Sequence, residues 1–83
     1  MKTKEAITLF QYYQRSTHRK RTLLSYSPML TQFLSQFGEK VFETITPDEV
    51  YSFLENLTQK LAKSTRRLRY AQLKAFFNFA INR

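Results

Sequence analysis

The sequence lacks cysteine and contains only one glycine and two prolines among its 83 residues. Without cysteine, the chain can form neither a disulfide framework nor a thiolate metal site, and this usage suits a reducing cytoplasm, where we expect the protein. A single glycine excludes the glycine-rich loops that bind nucleotide phosphates. So few helix-breaking residues indicate a chain that is mostly helical, with short connections.

Long hydrophobic runs are also missing. No apolar segment approaches the roughly 20 residues that a membrane span requires, and Thr8 and Gln11 interrupt the first apolar residues, so no signal peptide is indicated. A chain of this length buries only about 60 to 65% of its unfolded surface and cannot support two cores. We therefore expect one domain over residues 1–83, with eight Phe and five Tyr available to fill its core.

Acidic residues are scarce and confined to one segment. The chain has 14 Lys and Arg against six Asp and Glu, a net charge of +8, and five of the acids fall between residues 39 and 55. Residues 6–38 and 56–83 contain no acid but many bases. Such segregation is typical of a polyanion-binding face and a distal face, with ordinary charge scatter as the alternative.

Apolar residues recur at helical spacing in four segments, at about 4–16, 20–37, 47–59 and 65–82. In the first they form the stripe Ala6, Leu9, Phe10 and Tyr13. In the second they are Leu23, Tyr26, Leu30, Phe33, Leu34 and Phe37, and Gly38 is expected to close the helix in a left-handed conformation.

Pro28 interrupts the second segment. Because the apolar register continues through it, we expect one helix that is kinked or loosened near Leu24 to Pro28. The alternative is that Ser27 caps a new helix with Pro28 in its first position.

The third and fourth helices carry start signals. Thr46, Pro47 and Glu49 match a capping box, and Val50, Phe53, Leu54 and Leu57 form the stripe that follows it. Ser64 is expected to cap the fourth helix. The fourth helix has two apolar stripes, which indicate a central position in the bundle. Its remaining arc carries Arg67, Lys74 and Asn78. Arg66 and Arg69 are expected beyond the packed core. Together the segments predict an all-α bundle.

Residues for catalysis are nearly absent. His18 is the single histidine and has no acid nearby to orient it, while Asp48 and Glu49 point about 100° apart on a helix and are explained by capping. Tyr13 and Tyr26 belong to core stripes. We expect no enzyme activity, no metal site, no cofactor and no small-molecule substrate.

Two helix starts instead favour anion binding. "THRKRT" precedes the second helix and "KLAKSTRRLR" leads into the fourth. Each combines hydroxyl groups, free N–H groups at a helix N-terminus and several cations, which suits phosphate oxygens. The alternative for each is a solvated basic loop.

Four motifs in order give a family resemblance. "TLLSY" with "MLTQFLSQFG", then "ITPDEVYSFLENL", then "KSTRRLRYAQLKAFFNFAINR" resemble the N-terminal core-binding domain of tyrosine recombinases and phage integrases. The matching positions are Thr22, Tyr26, Ile45, Thr46, Val50, Ser64, Thr65, Leu73, Phe76 and Phe77.

The resemblance implies a SAM-like orthogonal bundle of four helices that grips double-stranded DNA at the core site of a site-specific recombinase, for DNA integration and recombination. It implies DNA contacts from the starts of the second and fourth helices. The corresponding residues are Arg19, Lys20, Arg21, Thr22, Lys63, Ser64, Thr65, Arg66, Arg67, Arg69, Tyr70 and Lys74. In some relatives the first helix contacts the neighbouring protomer, so neighbouring protomers on DNA are a further expected partner.

The family's catalytic residues belong to a separate domain, which we expect C-terminal to residue 83. The chain is thus interpreted as the non-catalytic, DNA-gripping part of a recombinase. A helical module whose basic face binds an acidic protein is the alternative. A basic amphipathic segment on an anionic membrane is a third interpretation, disfavoured because the apolar stripes are needed for one core.

Overall fold

The computed structural model describes residues 1–82 and contains four α-helices. They are α1 (Thr3–Thr17), α2 (Lys20–Phe37), α3 (Pro47–Thr58) and α4 (Lys63–Ile81), with a short 3₁₀ turn at Phe42–Thr44. Over that range the only β-type pairing is one isolated antiparallel bridge between Lys2 and Val41. The predicted all-α class and the four segments are confirmed to within two residues at each end. Arg83 lies outside the described residues.

The first two helices form an antiparallel pair. The N–H of Lys4, at the start of α1, donates to the carbonyl of Gly38, just after α2, and the ring of Phe10 lies 5.7 Å from that of Tyr26. Thr3 fastens this end, because its N–H and its hydroxyl both donate to the Lys40 carbonyl at 2.9 Å. The start of α1 is therefore fixed to the connection between α2 and α3.

Aromatic rings from every helix meet in one core. Phe33 of α2 is fully buried. The centre of its ring lies 4.9 Å from that of Phe53 of α3 and 5.7 Å from that of Phe76 of α4. Phe76 also lies 5.4 Å from Phe10 of α1 and 5.9 Å from Phe42 of the 3₁₀ turn. Helix α4 contacts the other three helices, so its predicted central position is confirmed.

Several predicted stripe positions lie elsewhere. Leu34, and Leu68 from one of the two stripes expected in the fourth helix, are exposed at 43% and 46%. Tyr13 is half-exposed, whereas Ile7 and Met29 are buried. In α1 the buried face runs through Thr3, Ile7 and Gln14. The Thr3 hydroxyl bond turns this face toward α2, and a pattern based on hydrophobicity cannot include polar residues in a core face.

Three local predictions about helix ends can be compared with the structure. The capping box is confirmed, since the Glu49 N–H donates to Thr46 Oγ1 at 3.2 Å and the Thr46 N–H donates to Glu49 Oε1 at 2.9 Å. Ser64 as the cap of α4 is wrong, because α4 begins at Lys63 and Ala62 occupies the capping position without a side-chain bond. A left-handed Gly38 is also wrong.

Gly38 ends α2 in a right-handed conformation, with φ −53° and ψ −40°. Its N–H donates to the Leu34 carbonyl at 2.9 Å. A Cβ atom at this position would lie 2.5 Å from that carbonyl oxygen, so glycine is required here by space rather than by backbone conformation.

Pro28 is exposed and lies within a helix that continues to Phe37. The single second helix is thus confirmed, and the alternative with Ser27 as the cap of a new helix is wrong. The kink near Leu24 stays a prediction.

Candidate nucleic-acid interface

A buried hydrogen-bonded junction joins the first half of α2 to the first half of α4. Arg69 Nη1 donates to the carbonyl of Ser25 at 2.6 Å and to Gln72 Oε1 at 2.9 Å. Gln72 Nε2 donates to Ser25 Oγ at 2.9 Å and to the Ser25 carbonyl at 3.2 Å. These residues are named the Ser25–Arg69–Gln72 junction below.

The junction brings the two basic helix starts together. At 1.5 Å per residue, Lys20 precedes Ser25 by roughly 7.5 Å along α2, and Lys63 precedes Arg69 by roughly 9 Å along α4. Both helix starts thus lie within about two turns of a shared point. The sequence predicted two basic entries, and each of them begins close to this junction.

Three of the acidic residues, Glu39, Glu43 and Glu49, lie near the other end of α2, which is about 25 Å from Lys20 by the helical rise. Glu55 of α3 instead lines a cavity together with Arg66 and Arg67, at the start of α4. The part of the chain that the structure describes contains four ion pairs, and all four lie near this end of α2. They are Met1 N-terminus with Glu43, Lys2 with Glu39, Lys4 with Glu39, and Lys40 with Glu49. The bases of the two helix starts form no ion pair across residues 1–82.

The local cations lower two carboxyl pKa values at this end. Hydrogen bonds from Lys4 and then Lys2 lower the pKa of Glu39. The backbone N–H of Thr46, followed by the Lys40 ammonium, lowers the pKa of Glu49. Glu39 and Glu49 are therefore held as carboxylates beside the lysines that they pair with.

A comparison with protein families matches residues 7–83 to the model described as "Phage integrase, N-terminal SAM-like domain". The chain belongs to this family. The resemblance inferred from the four motifs is confirmed, and with it the SAM-like all-α fold. Searches of curated proteins and of solved structures gave no significant match.

Two of the arginines expected to face a ligand are used within the integrase SAM-like domain. Arg66 Nε donates to the carbonyl of Thr58 at 3.1 Å, and its Nη2 donates to that of Gln59 at 3.2 Å. Arg69 belongs to the junction and is partly buried. Both were expected beyond the packed core. Arg66 is exposed, as expected, whereas Arg69 is partly buried. Backbone carbonyls accept the N–H groups of both side chains, which a charge pattern does not show.

The other six cations expected to face DNA are exposed in the SAM-like domain: Arg19, Lys20, Arg21, Lys63, Arg67 and Lys74. Ser64 and Tyr70 are exposed as well, while Thr22 and Thr65 are partly buried. No side chain caps α4, so the N–H groups of its first turn have no side-chain acceptor. The arrangement offers dispersed cations and free N–H groups to an extended anion.

Sequence reasoning missed Ser25 and Gln72. Gln72 is 3% exposed, and it sits three residues after Arg69, on the same face of α4. A polar residue beside Leu73 in an otherwise apolar segment is the one signal that could have marked it.

Residues 1–82 of the SAM-like domain contain neither a candidate metal site nor a membrane-spanning helix. That range contains no group of three or more His, Cys, Asp or Glu side chains placed to hold a metal ion. None of its helices is both long and apolar enough to cross a membrane. Burial raises the pKa of Tyr26, which packs against Phe10.

Proposed function

We propose that this SAM-like domain grips double-stranded DNA at the core site of a tyrosine recombinase through the adjoining starts of α2 and α4. The observation that supports the proposal is the Ser25–Arg69–Gln72 junction, because two basic helix starts each begin within about two turns of it. A duplex presents phosphates on both sides of a groove, so two adjoining basic helix ends suit it better than one.

Binding is expected to be mainly electrostatic. Besides Arg66, five exposed cations lie at the two helix starts, and Lys74 lies about three turns farther along α4. The free N–H groups of the first turn of α4 are further hydrogen-bond donors for an anion. If about six phosphates are neutralised, log K falls with log salt at a slope near −5, since each contact contributes roughly 0.9.

Within the recombinase, the domain acts as one non-catalytic unit. The support is the single aromatic core shared by all four helices and the family description, which is that of an N-terminal domain. The strand-cleaving groups then belong to another part of the protein, and neighbouring recombinase protomers on the same DNA are its expected protein partners.

Fluorescence anisotropy with a labelled duplex, titrated with the protein at several salt concentrations between about 50 and 200 mM, tests the proposal. Saturable binding with a slope near −5 is expected. No binding at the lowest salt concentration would overturn it. An acidic protein that binds the domain and is not displaced by excess duplex DNA would favour the interpretation as a protein-interaction module.

A further inference from the structure

Gln72 is a buried polar residue whose amide is fully used at one place. Its Nε2 donates to both oxygens of Ser25 on α2, and its Oε1 accepts from Arg69 on α4. With 3% of its surface exposed, it cannot reach a ligand outside the domain. Burial of an amide costs free energy unless its hydrogen bonds are satisfied. The contribution of Gln72 therefore comes from connecting Ser25 to Arg69.

The α2 turn at the junction has a particular need for donors. Pro28 has no N–H, so the carbonyl of Leu24 loses its helical donor, and the proline ring crowds the preceding turn. Three residues before Pro28, the carbonyl of Ser25 accepts from both Arg69 and Gln72. Side chains of α4 thus donate hydrogen bonds to α2 at Ser25, one residue after the carbonyl that Pro28 leaves without its helical donor.

We propose that Gln72 is a positioning residue for DNA binding: through Ser25 and Arg69 it holds the first two turns of α2 in place against α4. The proposal rests on the proposed function. The segment held in this way contains Lys20 and Arg21, which lie N-terminal to Pro28. The rest of α2 is held independently by the buried rings of Phe33 and Phe37.

The distinction between positioning and contact can be measured. A phosphate contact at Arg21 contributes its full effect only when the start of α2 is fixed at the right distance from α4. Replacing Gln72 should therefore reduce what Arg21 contributes, although Gln72 itself touches no DNA. Residues that act independently give effects that multiply, whereas coupled residues do not.

The experiment is a double-mutant cycle on the full chain, with Gln72→Met and Arg21→Gln, read by anisotropy on one duplex at fixed salt. Gln72→Met is expected to weaken binding about tenfold, and Arg21→Gln about threefold in the wild type but less than about 1.5-fold in Gln72→Met. Gln32→Met is the matched control, because Gln32 is exposed on α2 outside the junction, and it should leave affinity unchanged.

Hydrogen exchange of the free protein supplies a second reading that needs no DNA. Gln72→Met should speed exchange of the backbone N–H groups over residues 23–27 and leave those over 31–37 unchanged. If Gln72→Met fails to fold, Ser25→Ala takes its place, since it removes only the hydroxyl acceptor.

Effects of Gln72→Met and Arg21→Gln that simply multiply would overturn the positioning role while leaving the proposed function intact. Unchanged exchange over residues 23–27 would overturn it as well. Failure of the wild-type protein to bind the duplex would overturn the proposed function and the positioning role together.

Discussion

Arg66 in the first turn of α4 caps the preceding helix by donating from Nε to the carbonyl of Thr58, the last residue of α3, at 3.1 Å. A cation in the first turn is disfavoured by the dipole of its own helix, but the C-terminal end of α3 is negative and attracts it. The neighbouring Arg67 is exposed and has no comparable partner in the described chain. Adjacent arginines thus serve different purposes, one in folding and one at the surface.

Stability should separate the two arginines. Arg66→Gln removes charge-assisted bonds to the end of α3 and is expected to lower the free energy of unfolding by about 1 kcal/mol. Arg67→Gln should change it by less than about 0.5 kcal/mol. Urea denaturation followed by circular dichroism measures both, and equal losses for the two variants would contradict the assignment.

Of these two arginines, Arg67 is expected to contribute more to DNA binding than Arg66. Arg67→Gln is expected to lower the steepness of the salt dependence by about 0.9, the loss of one phosphate contact, while helicity is retained. Lys2→Gln is the matched control, because it removes one charge at the acidic end and leaves Glu39 paired with Lys4. Anisotropy titrations over several salt concentrations give the slope. The same decrease in Lys2→Gln would mean that only net charge matters.

The aromatic core should be most sensitive at Phe33. Its ring lies within 6 Å of the rings of Phe37, Phe53, Phe76 and Phe77. Phe33→Ala is expected to cost about 3 to 5 kcal/mol, a large share of the stability of a small domain. Leu24→Ala, at a position 64% exposed on the same helix, should be close to neutral. Thermal unfolding compares them, and a stable Phe33→Ala protein would show that the core is wrongly placed.

Space at the end of α2 should exclude any side chain at Gly38. Gly38→Ala places a Cβ atom 2.5 Å from the Leu34 carbonyl oxygen and is expected to destabilise the domain by about 1 to 3 kcal/mol. Ser35→Ala, at an exposed helical position nearby, should be neutral or slightly stabilising. Denaturant midpoints measure both effects. Equal stability of Gly38→Ala and Ser35→Ala would show that the end of α2 has room for a methyl group.

Acid should weaken the end of the domain opposite the basic helix starts. Because the pKa values of Glu39 and Glu49 are lowered in the folded state, their stabilisation is present above the unfolded value, about 4.3, and is lost as pH falls through the folded values. Glu49→Gln should narrow the difference in thermal midpoint between pH 7 and pH 3. Ser52→Ala, at an exposed residue of α3 without a titratable side chain, is the control and should not narrow it.

The sequence was most informative where structure depends on near neighbours. The Thr46 and Glu49 capping box needs only residues three apart and formed as predicted. Leu34 was misplaced because apolar spacing defines a stripe wider than the face that a neighbouring helix covers.

The basic residues of the candidate site could be predicted from the sequence, but the hydrogen bonds among its residues could not. The two basic helix starts follow from charge alone, whereas the bonds of Arg69 to Ser25 span 44 residues and depend on how α4 crosses α2. The role of Gln72 could not be predicted either, because a glutamine is buried only when residues distant in sequence supply partners for its amide.

The four ion pairs at the far end of α2 have a consequence for motion in solution. Because three of the six acids are paired there while Lys20, Arg21 and Lys63 at the two helix starts are exposed and have no ion-pair partner in residues 1–82, the molecule carries an uneven charge distribution along α2. In the field of a polyanion such a molecule experiences a torque that turns its positive end forward during diffusion. Fewer collisions are then wasted on the wrong orientation, and this advantage in encounter rate fades steeply as salt screens the field.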